Sequence, residues 1–331
     1  MNDEKETDRV KRSKWLAAIG AAAVLALGIA ACGTSSDDDS SNASGGGGDV
    51  AGSIRIDGSS TVAPLSEAIA ERFMAENPGV RVTVGTSGTG GGFEKFCAGE
   101  TAISDASRAI EPEEEEACEK AGVAFEEVRV ATDALTVMIN NENPVQCLTV
   151  DQLNAIWGPG SNVSSWSEVP GLKEDFDEEL ALFGPGTDSG TFDYFTEAIN
   201  GEEGVTRKDY NNVGEDDNAT VKGVAGAPGG MGYAGFSFYR ENEGKLKALE
   251  VDGGKGCVSP SAETAQDDSY TPLSRPLFIY PSDKGLKEPQ VKAFVRYYLD
   301  NVNGIAEAVG YIPVSEGQLA KSEAAAEKIG L

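Results

Sequence analysis

Two spacings of apolar residues alternate along most of the chain. "SIRIDG" (53–58) alternates as a short strand and ends in glycine. "PLSEAIAERFMAENP" (64–78) then sets Leu65, Ile69 and Phe73 at i, i+4 and i+8, with Glu67, Glu71 and Glu76 on the other side. That is an amphipathic helix, stopped by Pro78. "VRVTVGTSG" (80–88) alternates like a strand and breaks into glycines. "TAISDASR" (101–108) reads as a brief strand and a loop, and "EPEEEEACEKAG" (111–122) opens a helix with Pro and an acidic first turn. Its glutamates read as a solvated face rather than a calcium site. "VRVATDALTVMINNENP" (128–144) is a long apolar segment with a break expected at Thr132-Asp133. "TVDQLNAIWG" (149–158) is a capped helix. "LALFGPGTDSGTFDYFTEAI" (180–199) is strand, loop and helix, with Phe192, Phe195 and Ile199 on one face. A Val-rich helix and a Gly-rich turn into another strand fill 218–239, an apolar strand covers 274–282, and "EPQVKAFVRYYLDNV" (288–302) is a further amphipathic helix.

Strands alternating with helices predict an α/β fold with largely parallel sheets. The last strand and helix are far in sequence from the first βα units, so the reading is two lobes. The first comprises 53–133 and a return at 274–331; the second is 134–273. The chain would cross between them near 131–134 and 274–277. In such sheets ligands sit beyond the carboxyl ends of strands, where loops enter helices. Three stretches rich in small donors occupy that position: "IDGSSTVAPLSEAI" (56–69), "VGTSGTGGGFEKF" (84–96) and "FGPGTDSGTF" (183–192).

Composition narrows the chemistry. The 331 residues include no His, which excludes a Ser-His-Asp or Cys-His pair and a His-ligated metal. A net charge of −28 argues against a nucleic-acid surface. A basic cluster followed by "WLAAIGAAAVLALGIAAC" reads as a signal peptide over 1–31. Its end, Ile29-Ala30-Ala31-Cys32, resembles a bacterial lipobox, with Cys32 as the lipidated mature N-terminus. Residues 32–52, rich in Gly, Ser and Asp, would be a flexible tether. Cys97, Cys118, Cys147 and Cys257 remain, an even number in an exported chain. They allow three disulfide pairings. The lobe division favours 97 with 118 and 147 with 257. Zinc-type C-x-x-C spacing is absent, and no metal site is expected.

A helix start leaves amide N–H groups unpaired and carries partial positive charge. Ser60-Thr61-Val62, Ser87-Gly88-Thr89 and Ser189-Gly190-Thr191 add hydroxyls and glycines to such starts. One such turn reads as ordinary capping, but three on both sides of the crossover read as an anion cleft. The glycine-rich stretch fits neither a Walker A loop nor G-x-G-x-x-G in register. "AISDASRAI" (102–110) contributes Arg108, a planar fork for an oxyanion, and Asp105. A carboxylate beside a bound anion helps only if the ligand carries a proton, as phosphate does and sulfate does not. The plainer alternative is an Asp105–Arg108 surface pair.

"DGSSTVAPLSEAIAERF", "GTSGTGGGFEKFCAGETAISDASR", "TDSGTFDYF", "SRPLFIY" and "GYIPVSE", in this order over 53–316, resemble the substrate-binding protein of the bacterial phosphate ABC transporter, the PstS type. The resemblance implies a two-lobe, type II periplasmic-binding-protein fold hinged between its lobes and closing on one inorganic phosphate. It implies no enzyme activity and no cofactor. Its partners would be phosphate, the transmembrane permease subunits of an ABC transporter, and the membrane through a lipid anchor on its outer face; nucleic acid is not among them. Carried over, Thr61 and the Val62 amide bind from the first turn, with Ser60 an addition, and Ser87 donates from the second. Asp105 accepts the phosphate proton, and Ser189, Gly190 and Thr191 donate from the second lobe. Some members carry Arg where Pro185 stands here; Arg108 is the available substitute. The competing readings are another tetrahedral oxyanion, sulfate or molybdate, and a secreted phosphoester hydrolase. The hydrolase lacks His, a metal cluster and an activated nucleophile.

Overall fold

The stripe Leu65, Ile69 and Phe73 does what its spacing predicts: all three side chains are buried, and Phe73 meets Phe294 and Tyr297 edge-on with ring centroids 5.3 Å apart. The computed structural model describes residues 50–331 except 188 and 215. The expected signal peptide, the Cys32 lipidation site and the tether up to residue 49 lie outside the described residues.

In chain order the elements are β1 (Gly52–Gly58), α1 (Ala63–Glu76), β2 (Val80–Gly85), α2 (Gly88–Cys97), β3 (Ile103–Ala106), α3 (Pro112–Ala121) and β4 (Val128–Asn140). Then come β5 (Cys147–Thr149), α4 (Val150–Trp157), β6 (Ala181–Gly184), α5 (Gly190–Phe195), β7 (Asn211–Asn212), α6 (Asp217–Gly226) and β8 (Gly230–Gly235). The remainder is α7 (Phe236–Glu241), β9 (Leu246–Ala248), β10 (Glu250–Asp252), β11 (Cys257–Val258), α8 (Ala262–Gln266), β12 (Ser274–Pro281), α9 (Pro289–Ala308) and α10 (Glu316–Lys328). A π-helical turn, Thr196–Asn200, continues α5. Among the described residues no helix is long and apolar enough to cross a membrane.

The main sheet runs β2-β1-β3-β12-β4-β8-β6-β7, with β9 also on β4; a small sheet runs β11-β10-β5. The main sheet is mixed rather than largely parallel. β1 lies parallel to β2 and β3, and β6 parallel to β7 and β8. Between these groups, β12 is antiparallel to β3 and β4, and β4 is antiparallel to β8 and β9. The physical reason is connectivity. β4 carries the chain out of one group and β12 carries it back, so the two run in opposite directions when they pair.

The break expected at Thr132-Asp133 is absent; β4 is one strand of 13 residues. Two of its polar side chains find partners without interrupting the strand. Arg129 donates to the Thr132 hydroxyl at 2.8 Å, and Asp133 pairs with Arg275. The two segments expected to cross lie side by side, Ala131 to Ala134 in register with Leu277 to Ser274.

Apolar packing divides at the same place. One cluster gathers Ile54, Leu65, Phe73, Val130, Ala131, Leu277, Ile279 and Phe294; another gathers Leu135, Leu153, Trp157, Phe195, Tyr233 and Leu273. A small cluster of Ala134, Phe236, Ala265 and Ile312 joins residues from both sides. Disulfides join Cys97 to Cys118 and Cys147 to Cys257, tying α2 to α3 and β5 to β11.

Candidate functional site

A cavity of about 600 Å³ opens where the first and third donor turns meet. Ser60, Thr61, Ser87 and Arg108 line it from one side and Gly190, Asp193, Tyr194 and Glu197 from the other, with Arg275 between. A β-carbon built on Gly190 would stand 3.9 Å from the Thr61 hydroxyl oxygen, so the two turns are within contact distance.

The packing that builds this mouth depends on glycine at two positions. Gly58, at φ 146°, ends β1 where an added β-carbon would come within 2.0 Å of the Asp105 carbonyl oxygen. Gly92 brings α2 against β1; a β-carbon there would lie 2.4 Å from the Gly58 α-carbon. These contacts pull the first two donor turns together over the ends of β1, β2 and β3.

The donor turns do not cap their own helices. Thr149, Asp216, Ser261 and Ser315 each accept a helix amide on a side-chain oxygen. The corresponding positions of α1, α2 and α5, Val62, Ser87 and Ser189, make no such bond. Ordinary capping therefore does not account for the three turns.

Each sequence candidate has a definite place. Ser60, Thr61, Ser87, Arg108 and Gly190 line the cavity. Val62, Ser189 and Thr191 do not; Val62 and Ser189 are buried and Thr191 is half-buried. Ser87 faces the cavity with its donors engaged. Its hydroxyl and amide donate to one Asp57 carboxylate oxygen, at 2.5 and 3.1 Å, while Lys95 pairs with the other at 2.6 Å. Burial alone would raise the Asp57 pKa, but the Lys95 and Ser87 bonds outweigh it and hold the carboxylate below its usual range.

Asp105 lies apart from the candidates that line the cavity. It is fully buried and not in the cavity wall. Strand alternation is the cause: on β3, Ile103 and Asp105 share a face, and Ile103 packs in the cluster of α1 and α9, whereas Ala106 packs with Phe93 of α2. The Asp105 carboxylate oxygens have no hydrogen-bond partner. Burial pushes its pKa up to about 8; the nearby Ser66 hydroxyl opposes this, and Asp57 and Glu67 add to it. At neutral pH this group holds a proton, so in this arrangement it is not an ionised acceptor for the ligand's proton.

Arg108 is not paired with Asp105 either. Its fork is bidentate to Glu114 at 2.8 and 2.9 Å, with Glu111 at 3.3 Å. The Glu114 contact raises the already high Arg108 pKa, partly offset by burial.

Arg275 was missed by motif reading. It enters the cavity from β12, donates to the Thr61 hydroxyl at 2.7 Å and to Asp133 at 3.3 Å, and lies 3.7 Å above the centroid of the Tyr194 ring. Tyr194 is fixed by donating to the Pro272 carbonyl at 2.9 Å. Burial raises the Asp133 pKa and the Arg275 charge opposes that rise. The available signal was an arginine inside an apolar strand, "SRPLFIY", at the crossing.

The PBP superfamily domain matches residues 43–302. "Phosphate-binding protein PstS" of Staphylococcus haemolyticus is 36% identical over 271 residues, covering 81% of this chain and 83% of that protein. It belongs to the PstS-type phosphate-binding proteins. Another relative of this PstS-type chain, "Protein SphX" of Synechococcus elongatus, is 47% identical over 265 residues, 79% of this chain and 77% of that one. The crystal structure of "a possible phosphate binding protein" from Planctomyces limnophilus superposes on it with a TM-score of 0.80 at 43% identity, over 85% of this chain and 100% of the other. The two-lobe periplasmic-binding-protein fold read from the PstS-type motifs is thus the fold of this chain.

Proposed function

We propose that the cavity captures one inorganic phosphate outside the cytoplasm and that the loaded protein delivers it to the membrane permease of an ABC transporter. The observation that carries this is the meeting of Thr61 and Gly190 around a cavity that also holds an arginine. Donors from opposite sides of the crossing strands converge there, as a clamshell needs to hold a small anion. The family of the chain names the anion.

In this reading the lobes are 53–133 with 274–331, and 134–273. The paired segments 131–134 and 274–277 form the hinge, and the division of apolar packing supports that boundary. Thr61, Ser60, Gly190 and the amides of the three turns are the donors, with Ser189 and Thr191 on either side of Gly190 in the third turn. Cys32 carries the lipid that holds the protein at the outer membrane face. The chain binds and releases without chemistry; a chromogenic phosphoester is expected to remain uncleaved.

With Asp105 outside the cavity wall, rejection of sulfate does not follow from a carboxylate in contact with the ligand, so the test carries a sulfate arm. Calorimetry on ligand-stripped protein is expected to show one orthophosphate bound per chain, with sulfate weaker. No uptake of orthophosphate would overturn the reading; equal affinity for sulfate would widen it to tetrahedral oxyanions in general.

A further inference from the structure

We propose that Arg275, and not Arg108, supplies the positive charge that meets the bound oxyanion, held in place between the two halves by Thr61, Asp133 and Tyr194. The inference rests on the phosphate reading and names the residue that completes its site.

The two arginines of the cavity wall differ in what is left of their charge. Arg108 faces two carboxylates, one of them through both arms of its fork, and its side chain is 38% exposed. An anion arriving there meets a cluster that is already net negative. Among the described residues Arg275 forms an ion pair with one carboxylate, and at 3.3 Å the contact is long for a charge-assisted bond. Its side chain is only 15% exposed, so its field is screened less by water. Nε is directed to Asp133 and Nη2 to Thr61, and Nη1 has no hydrogen-bond partner among the described residues. That free arm belongs to a group lining the cavity.

The three contacts also fix the plane of the fork. Stacking on Tyr194 removes rotation about the last bonds, and the Thr61 hydroxyl anchors one edge. The partners come from α5, from the turn before α1 and from the crossing strand β4, so the guanidinium sits at the junction of all three. Little side-chain freedom remains to be lost when an oxyanion arrives. The Thr61 hydroxyl accepts from Arg275, which leaves its own O–H to donate to the same anion.

The test is the orthophosphate Kd by isothermal titration calorimetry on purified, ligand-stripped protein. Arg275→Gln is expected to weaken binding about a hundredfold, as the loss of two charge-assisted bonds would, and Arg108→Gln by less than about tenfold. Arg275→Lys, which keeps the charge without the fork, is expected to lose about tenfold. The double variant Arg275→Gln/Asp133→Asn is expected to stay weak, although it relieves the unpaired Asp133. If the double variant regains wild-type affinity, Arg275 acts only by neutralising Asp133 and the proposal is overturned. Arg275→Gln at wild-type affinity, or Arg108→Gln carrying the larger loss, overturns it as well. Should Arg275→Gln fail to fold by circular dichroism, the lysine variant decides: wild-type affinity there overturns the proposal, a tenfold loss supports it. A wild-type protein that takes up no orthophosphate removes the phosphate reading itself, and this result is distinguishable because it appears before any substitution.

Discussion

Asp105 sits among Ile103, Ser66 and Tyr298 without a partner for its carboxylate, and this has a consequence for stability. Its pKa rises from an ordinary 3.8 to about 8 on folding. Between those values the unfolded chain releases a proton that the folded chain keeps. The contribution of this group to stability therefore falls as pH rises through that window and levels off above it. Asp105→Asn is expected to flatten that slope in thermal melts of ligand-free protein between about pH 5 and 8. An unchanged slope would show that the carboxylate is solvated or paired. Thr61 gives a second expectation at this scale. Thr61→Val keeps its shape and removes a cavity-lining hydroxyl that also accepts from Arg275. A loss of roughly tenfold in phosphate affinity is expected from one charge-assisted bond, and calorimetry reads it directly. Thr61 was legible from the motif. The direction of the Asp105 side chain was not, because a four-residue strand buried on both faces has no polar side to reveal its register.

Some helices cap themselves and others start at the cavity without a side-chain cap, and the sequence carries both in the same letters. Thr149 with Gln152 forms a capping box; Ser87 and Ser189 look alike in composition and do not cap. What distinguishes them is the neighbouring strand: Asp57 of β1 reaches the hydroxyl of Ser87, and Gly190 faces Thr61. The disulfides staple α2 to α3 and β5 to β11. Cys97–Cys118 closes 21 residues and Cys147–Cys257 closes 110. Loop-closure entropy scales with the logarithm of length, so removing the shorter bridge is expected to cost about 3 kcal/mol and the longer one nearly 5. Urea unfolding of the two paired Cys→Ala variants measures this, and equal losses would show that chain entropy does not govern them.

Across the whole molecule, β4 and β12 lie side by side where the two apolar clusters divide. A ligand that binds the folded chain alone stabilises it by mass action, about 4 kcal/mol at a thousandfold excess over Kd. Phosphate is therefore expected to raise the melting temperature well above sulfate at equal concentration. It is also expected to reduce the radius of gyration in X-ray scattering if the paired segments hinge. The net charge of −28 does not oppose capture, because charges beyond ~8 Å are screened at physiological salt while the cavity donors act in contact.

Apolar spacing, Pro and Gly positions and the three donor turns marked on their own the longer strands and helices and the turns that carry Ser60, Thr61, Ser87 and Gly190 into the cavity wall. These features are local: a period of 3.6 or 2, a donor-rich turn before a helix, a glycine at a strand end. Only the tertiary structure decided that the sheet is mixed, that β4 runs unbroken, that Asp105 turns inward and that Arg275 reaches the cavity. Each of these depends on what a residue meets from a distant part of the chain. Arg275 stands 142 residues from Asp133 and 214 from Thr61, and no local pattern encodes that meeting.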